Sequence, residues 1–325
     1  MREALFVKQN SEKWEDYEKM EVSHPDELAE RFIEITDDLA YAKTFYPTSK
    51  TTAYLNGLAA RLHQSIYTNK REKANRFVTF WKIELPLVFY TYRKQLLYAA
   101  IFFTLFALIG AFSAAHDDTF VRLILGDTYV DMTNANIDKG DPFGVYKEMD
   151  PFMMFIMIAL NNIKVSCFAF LLGILFSVGT VVLLMYNGIM LGSFQYYFFS
   201  KGLGVASVLV IWIHGTLEIA AIIFSGAAGL ILGNSILFPK TYSRLVSFKR
   251  GGKDGLKIII GLVPIFIIAA ILESFVTRHT GMPTWLSSFI LIASLFFIIW
   301  YVIIYPKKVF SLQHQRQHDR QQDVV

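Results

Sequence analysis

Two hydrophobic patterns divide the chain. Up to about residue 90, apolar residues recur at three- and four-residue steps among paired charges. From about residue 95 onward, long apolar runs alternate with short polar breaks. In "SHPDELAERFIEITDDLAYAKTFYP", Leu28, Phe32, Ile35 and Leu39 fall on one helical face. Ser23 with Asp26 resembles a capping box, and Pro25 suits an early helical turn. Pro47 ends that helix. A second stripe, Tyr54, Leu58, Leu62 and Ile66, predicts another, with Asn56-Gly57 only a mild interruption. The expectation is a small helical bundle over residues 1–92. Asp37, Asp38, His24 and His63 are expected on its solvated face.

The later runs reach the length of a bilayer crossing, which takes about 20 residues. The first lies near Gln95–Ala115, and further runs fall at 163–184, 186–201, 205–234, 256–277 and 286–304. "PFMMFIMIALNN", before the second, reads as an interfacial helix, or as a further crossing if the short third run is re-entrant. Charge orients them, because basic residues mark cytoplasmic loops. Arg93 and Lys94 precede the first run, which places the N-terminal bundle in the cytoplasm. The loop 116–150 carries Asp117, Asp118, Asp127, Asp131, Asp138, Asp141, Glu148 and Asp150 against only Arg122, Lys139 and Lys147, and is expected outside. The loop 239–257 has six basic residues and one acid, which returns it to the cytoplasm. The expected fold is therefore all-α: a polytopic membrane domain of about six spans over 93–305, after a cytoplasmic bundle. A polar, disordered cytoplasmic tail follows over 306–325.

Composition agrees with a membrane protein. Of 325 residues 54% are hydrophobic, and the mean hydropathy is +0.40. The single cysteine, Cys167, allows neither an internal disulfide nor a cysteine-based metal cluster. "MREALFVKQNSEKWEDYEKM" lacks the apolar core of a signal peptide, so the first apolar run must direct insertion. Basic residues in the N-terminal segment are matched by acids, which gives nucleic-acid binding no support. There is no Walker P-loop, GxSxG elbow or dinucleotide fingerprint, so no enzyme chemistry and no cofactor are expected.

Three ionisable residues lie within apolar runs: His214, Glu218 and Glu273. Such groups cost on the order of 2.5–3.5 kcal/mol at a helix centre and face the protein interior. His214 and Glu218 are four apart and share a helix face. With six spans, His214 and Glu273 both fall toward the outer half. The trio reads first as interhelical hydrogen bonding, then as a proton or cation path, and last as a metal site. A metal is not expected, because two ligands on one helix do not make a site and the HExxH arrangement is absent. His314 and His318 belong to the solvated tail. Gly188 and Gly192 have GxxxG spacing, and Gly226, Gly229 and Gly233 add further small residues. Such faces serve either close internal packing or a homo-oligomer seam. Asn161, Asn162 and Asn187 are expected to supply hydrogen bonds at segment ends.

Taken in order, "HPDELAERFIEITDDLAYAKTFYP", "YLNGLAARLHQSIY", "NNIKVSCFAFLLGILFSVGTVVLLMYNGIMLG" and "HGTLEIAAIIFSGAAGLILG" resemble the stage II sporulation protein M family. The most specific matches are Asn161-Asn162, Asn187-Gly188, and His214-Gly215 with Glu218. Glu273 falls where such proteins carry a glutamate. The resemblance implies a multi-pass protein of the bacterial inner membrane that acts as a scaffold or assembly component. The family's namesake is associated with cell-wall hydrolases in engulfment, and relatives are often encoded beside MoxR-type ATPases. Those ATPases and cell-envelope proteins are thus the implied partners, besides the lipid bilayer. The large N-terminal domain departs from a bare membrane core and suggests a docking platform instead of a literal engulfment role. The alternative is a transporter or channel using the His/Glu trio.

Overall fold

The computed structural model describes residues 2–19, 25–68, 76–147, 149–279 and 281–322. Every element among them is helical. The chain divides into two compact units, Met1–Val78 and Thr79–Val325.

The first unit contains α1 (Glu3–Lys19), α2 (Pro25–Phe45) and α3 (Lys50–Thr68). The predicted stripes become its core. Leu28, Ile35 and Leu39 of α2 are buried with Leu55, Leu58 and Leu62 of α3, and Phe32 and Tyr54 pack at the margin. The sequence pattern had not singled out α1, which contributes Phe6 and Trp14. Its apolar positions are sparse among Glu and Lys and make no continuous stripe. Ser49 caps α3, its Oγ accepting the Thr52 N–H at 3.1 Å. Asp38 is not a solvated bystander. It accepts the Trp14 indole N–H at 2.8 Å and pairs with Lys13 at 2.7 Å, tying α2 to α1. His63 is exposed, as expected. Ser23, His24 and Glu148, with the side chains of Ile66 and His318, lie outside the described residues.

The Tyr17 hydroxyl donates to Glu34 at 2.7 Å. Partial burial first, and then this carboxylate, push its pKa up to about 12. A raised value favours the protonated form in the fold. The contact therefore contributes fully below the ordinary tyrosine pKa of about 10 and is lost as pH climbs toward 12.

The second unit holds six helices long and apolar enough to cross a membrane: Arg93–His116, Pro151–Ile174, Val178–Ser200, Gly204–Leu237, Arg244–Thr277 and Thr284–Gln315. We number these as spans one to six. In spans four and five half of the most apolar window is buried, against 22–28% in the others, so these two form the centre. Span four touches each of the other five.

Three expected boundaries move. "PFMMFIMIALNN" is the first half of span two and not an interfacial helix. Asp150 Oδ1 accepts the N–H groups of Phe152 and Met153, both at 3.0 Å, and Pro151 occupies the first turn, so the helix starts there and continues. The break between spans two and three then falls at Phe176 and Ser177, both with positive φ, about ten residues before the expected one. The units divide at Val78, not at residue 92. Leu85, Val88 and Phe89 are buried in the membrane core, and Lys257 pairs with Glu84 at 2.6 Å. The tail, expected to be disordered, continues span six as helix to Gln322, with Val309 buried and Phe310 stacked on Tyr90 at 4.2 Å between ring centroids. Its Gln, Lys and Arg residues are good helix formers once a hydrophobic contact holds the first turns.

The loop between spans one and two is structured. It contains α4 (Asp118–Leu125) and α5 (Asp127–Asp138). Asp117 caps α4, and Arg122 pairs with Asp127 at 3.0 Å and Asp131 at 2.8 Å. Asp141 is held by Lys147 at 2.7 Å. Most of the loop's acids therefore serve its own structure.

The glycine faces are used within the chain. A Cβ on Gly192 would overlap the Ala107 carbonyl of span one, and one on Gly188 would meet the Phe103 carbonyl at 2.7 Å. Gly226 receives Leu184 of span three, Gly229 abuts Ala169 and Thr180, and Gly233 lies against Ser177 and Gly173. In lipid, where apolar contact is no advantage over solvent, such backbone approach is what holds helices together. Gly192→Ala should therefore lower stability by about 1–3 kcal/mol or more. Gly57→Ala, where an added Cβ meets nothing within 4 Å, should be neutral or stabilising. Thermal unfolding of both variants in the same detergent checks the contrast.

Candidate functional site

The three ionisable residues meet. Span four runs unbroken from Gly204 and brings His214 and Glu218 onto one face. Span five, which has Pro264 inside it, ends in a π-helical stretch, Leu272–Thr277. Single π turns insert an extra residue into a helix and recur where side chains must be re-aimed. Here the stretch presents Glu273 and Thr277 to the same imidazole. His214 Nε2 lies 3.8 Å from Glu273 Oε1, and His214 Nδ1 lies 3.0 Å from Thr277 Oγ1. One ligand-capable atom from each of His214, Glu218 and Glu273 can be chosen so that all lie within 4.8 Å of one another. The imidazole is 4% exposed.

Asn162, from the middle of span two, completes the surround. It borders the Glu218 carboxylate. Its side chain is buried, and Nδ2 has no hydrogen-bond partner of ordinary geometry among the described residues. The Ser274 hydroxyl, next to Glu273 in the chain, is also buried without one. Asn162 is thus mid-span and not at a segment end, because span two begins at Pro151. Asn187 is also mid-span and donates to its own helix, at the Leu183 carbonyl, 2.9 Å away. Gly215 is buried, yet a Cβ there would meet only Ile219, so it makes no close helix contact. Thr277 was not singled out in the sequence. Its spacing of four from Glu273 was the available signal.

Chemically, two carboxylates and an imidazole in a water-poor interior must be balanced by shared protons or by a cation. The 3.8 Å gap between His214 and Glu273 is wider than a hydrogen bond, which spans 2.7–3.2 Å. A cavity of about 160 Å³ lined by Val210, Ile213, Val276, Thr277, His279 and Met282 lies next to the site, on the side of the turn between spans five and six.

The family model described as stage II sporulation protein M matches residues 99–278, more than half of the chain. The chain belongs to that family. All eleven candidate positions from spans two, three and four, together with Glu273 of span five, fall inside the match. Residues 4–68 match a second model, described only as a domain of unknown function, which coincides with α1–α3. No curated protein and no solved structure matches.

Replacing Thr277 by valine removes the hydroxyl at His214 Nδ1 and leaves a buried ring nitrogen to be satisfied otherwise, a loss of about 1–3 kcal/mol. Thr277→Ser keeps the hydroxyl and should recover most of that loss. Unfolding of the two variants in lipid nanodiscs compares them.

Proposed function

We propose that this stage II sporulation protein M family member is a non-enzymatic scaffold of the bacterial inner membrane that recruits partner proteins through its N-terminal bundle. The observation that carries the reading is the two-unit architecture. A bundle with its own core and a charged exterior is joined to a membrane unit whose glycine faces are taken up by internal packing. The membrane unit is then an anchor and the bundle a docking module. The basic residues Arg93, Lys94, Lys240, Arg244, Lys249, Arg250, Lys253 and Lys257 support a cytoplasmic side for the bundle and for both ends of the membrane unit. By the family resemblance, a MoxR-type ATPase is the partner class to look for there. The extracytoplasmic loop is the weaker docking surface, because Asp117, Asp127, Asp131, Asp141 and Asp150 are already engaged in caps and ion pairs.

A second reading, a transporter or channel, is favoured by one observation, the convergence of His214, Glu218 and Glu273 inside the membrane unit. Native mass spectrometry from host membranes separates the two. The scaffold reading expects a stoichiometric partner on the full chain that is lost when residues 1–78 are deleted, with the membrane unit still inserted. A lone chain or homo-oligomer in both samples contradicts it. The transport reading then requires a proton-coupled flux in proteoliposomes that Glu218→Gln abolishes.

A further inference from the structure

We propose that His214, Glu218 and Glu273, with Asn162 beside them, form a binding site for one divalent transition-metal cation shared by spans two, four and five. This rests on neither reading above, since a resident ion would serve an anchor or a transporter equally. Four observations converge on it. The ligand-capable atoms of the three residues gather within 4.8 Å of one another. The His214 Nε2 and Glu273 Oε1 atoms stand 3.8 Å apart, too far to bond each other. Bonds of about 2.0–2.2 Å to a common ion imply a donor separation near 3.4 Å in a tetrahedral site, so a small side-chain rotation closes the shell. His214 Nδ1 is engaged by Thr277 Oγ1 at 3.0 Å. With the proton on Nδ1 donated to that hydroxyl, the lone pair of Nε2 points at the centre, the arrangement that metal-bound imidazoles favour.

The fourth observation comes from span two. The Asn162 side chain is 4% exposed and lies against the Glu218 carboxylate, and its amide nitrogen makes no hydrogen bond of ordinary geometry among the described residues. A buried amide left unsatisfied is costly. A half-turn of the amide plane exchanges its nitrogen and oxygen, which presents a carbonyl oxygen to an ion. Charge selects the ion. Two carboxylates are cancelled by a dication, and a monovalent ion leaves one charge uncompensated in the membrane interior. The imidazole selects among dications: nitrogen with carboxylate oxygen suits zinc, manganese or iron(II) better than calcium or magnesium, which take all-oxygen shells. The neighbouring cavity shares Thr277 with the site and has His279 and Met282 in its lining, beside the turn between spans five and six.

The test uses the full chain in detergent, carrying His314→Ala and His318→Ala so that the tail imidazoles do not compete. After chelator treatment it is titrated with Co²⁺ as the probe. The expected result is one tightly bound Co²⁺ per chain with the visible d–d absorption of a low-coordinate site, displaced by Zn²⁺. Glu273→Gln should weaken binding at least 100-fold. Asn162→Ala should weaken it about 10-fold, within the range seen when groups supporting a metal shell are removed. Circular dichroism of the metal-free variants checks the fold. If Glu273→Gln does not fold, the parent chain's spectrum and Asn162→Ala decide. Only the spectrum of hydrated Co²⁺ with the parent chain, or unchanged affinity in folded Glu273→Gln, overturns the site.

Discussion

A polar group inside hydrocarbon has to be satisfied by the protein itself, and span four places an imidazole and a carboxylate one turn apart under that constraint. The arrangement of the membrane unit follows from it. Span five must bring Glu273 and Thr277 to the imidazole, and does so through the π-helical turn at its end. Span two must bring Asn162 to the carboxylate, and so it crosses beside span four from Pro151 onward. A helix held this way on two sides is buried along most of its length, as span four is.

Backbone approach does the rest. Gly226, Gly229 and Gly233 let spans two and three and the turn between them press onto the C-terminal half of span four. Gly188 and Gly192 seat span three on span one. Hydroxyls fill the remaining polar needs: Ser166 meets Ser225 at 2.6 Å, and Thr180 donates to the Ala169 carbonyl at 2.7 Å. The polar cluster and the glycine seam therefore lie along the same helix, one toward each end. A member of this family thus combines a tightly packed membrane core with a separately folded bundle of three helices.

Much of this was legible in the sequence. Apolar length gave six spans, and the spacing of Leu28, Ile35, Leu39, Leu58 and Leu62 gave the bundle core. The four-residue step from His214 to Glu218 put both on one face, and parity put Glu273 at their depth. Boundaries were less legible, because composition does not change where span two ends. Phe176 and Ser177 are ordinary residues, and only their positive φ makes the turn. Asn162 was misplaced for the same reason, since an error in the span's start moves every depth after it. Thr277 and Asp38 were missed because their partners are far away in sequence, at His214 and Trp14. A one-dimensional pattern records which residues share a face. It does not record which faces meet.

The central claim is that His214 and Glu273 act as one unit joining spans four and five. A double-mutant cycle measures this directly, using His214→Gln, Glu273→Gln and the pair, with unfolding free energies taken in lipid nanodiscs. Residues in one polar network show coupling of about 0.5–3 kcal/mol, and we expect a value of about 1 kcal/mol or more. Losses that add to within about 0.3–0.5 kcal/mol would mean that the two groups are independent, and would contradict the account.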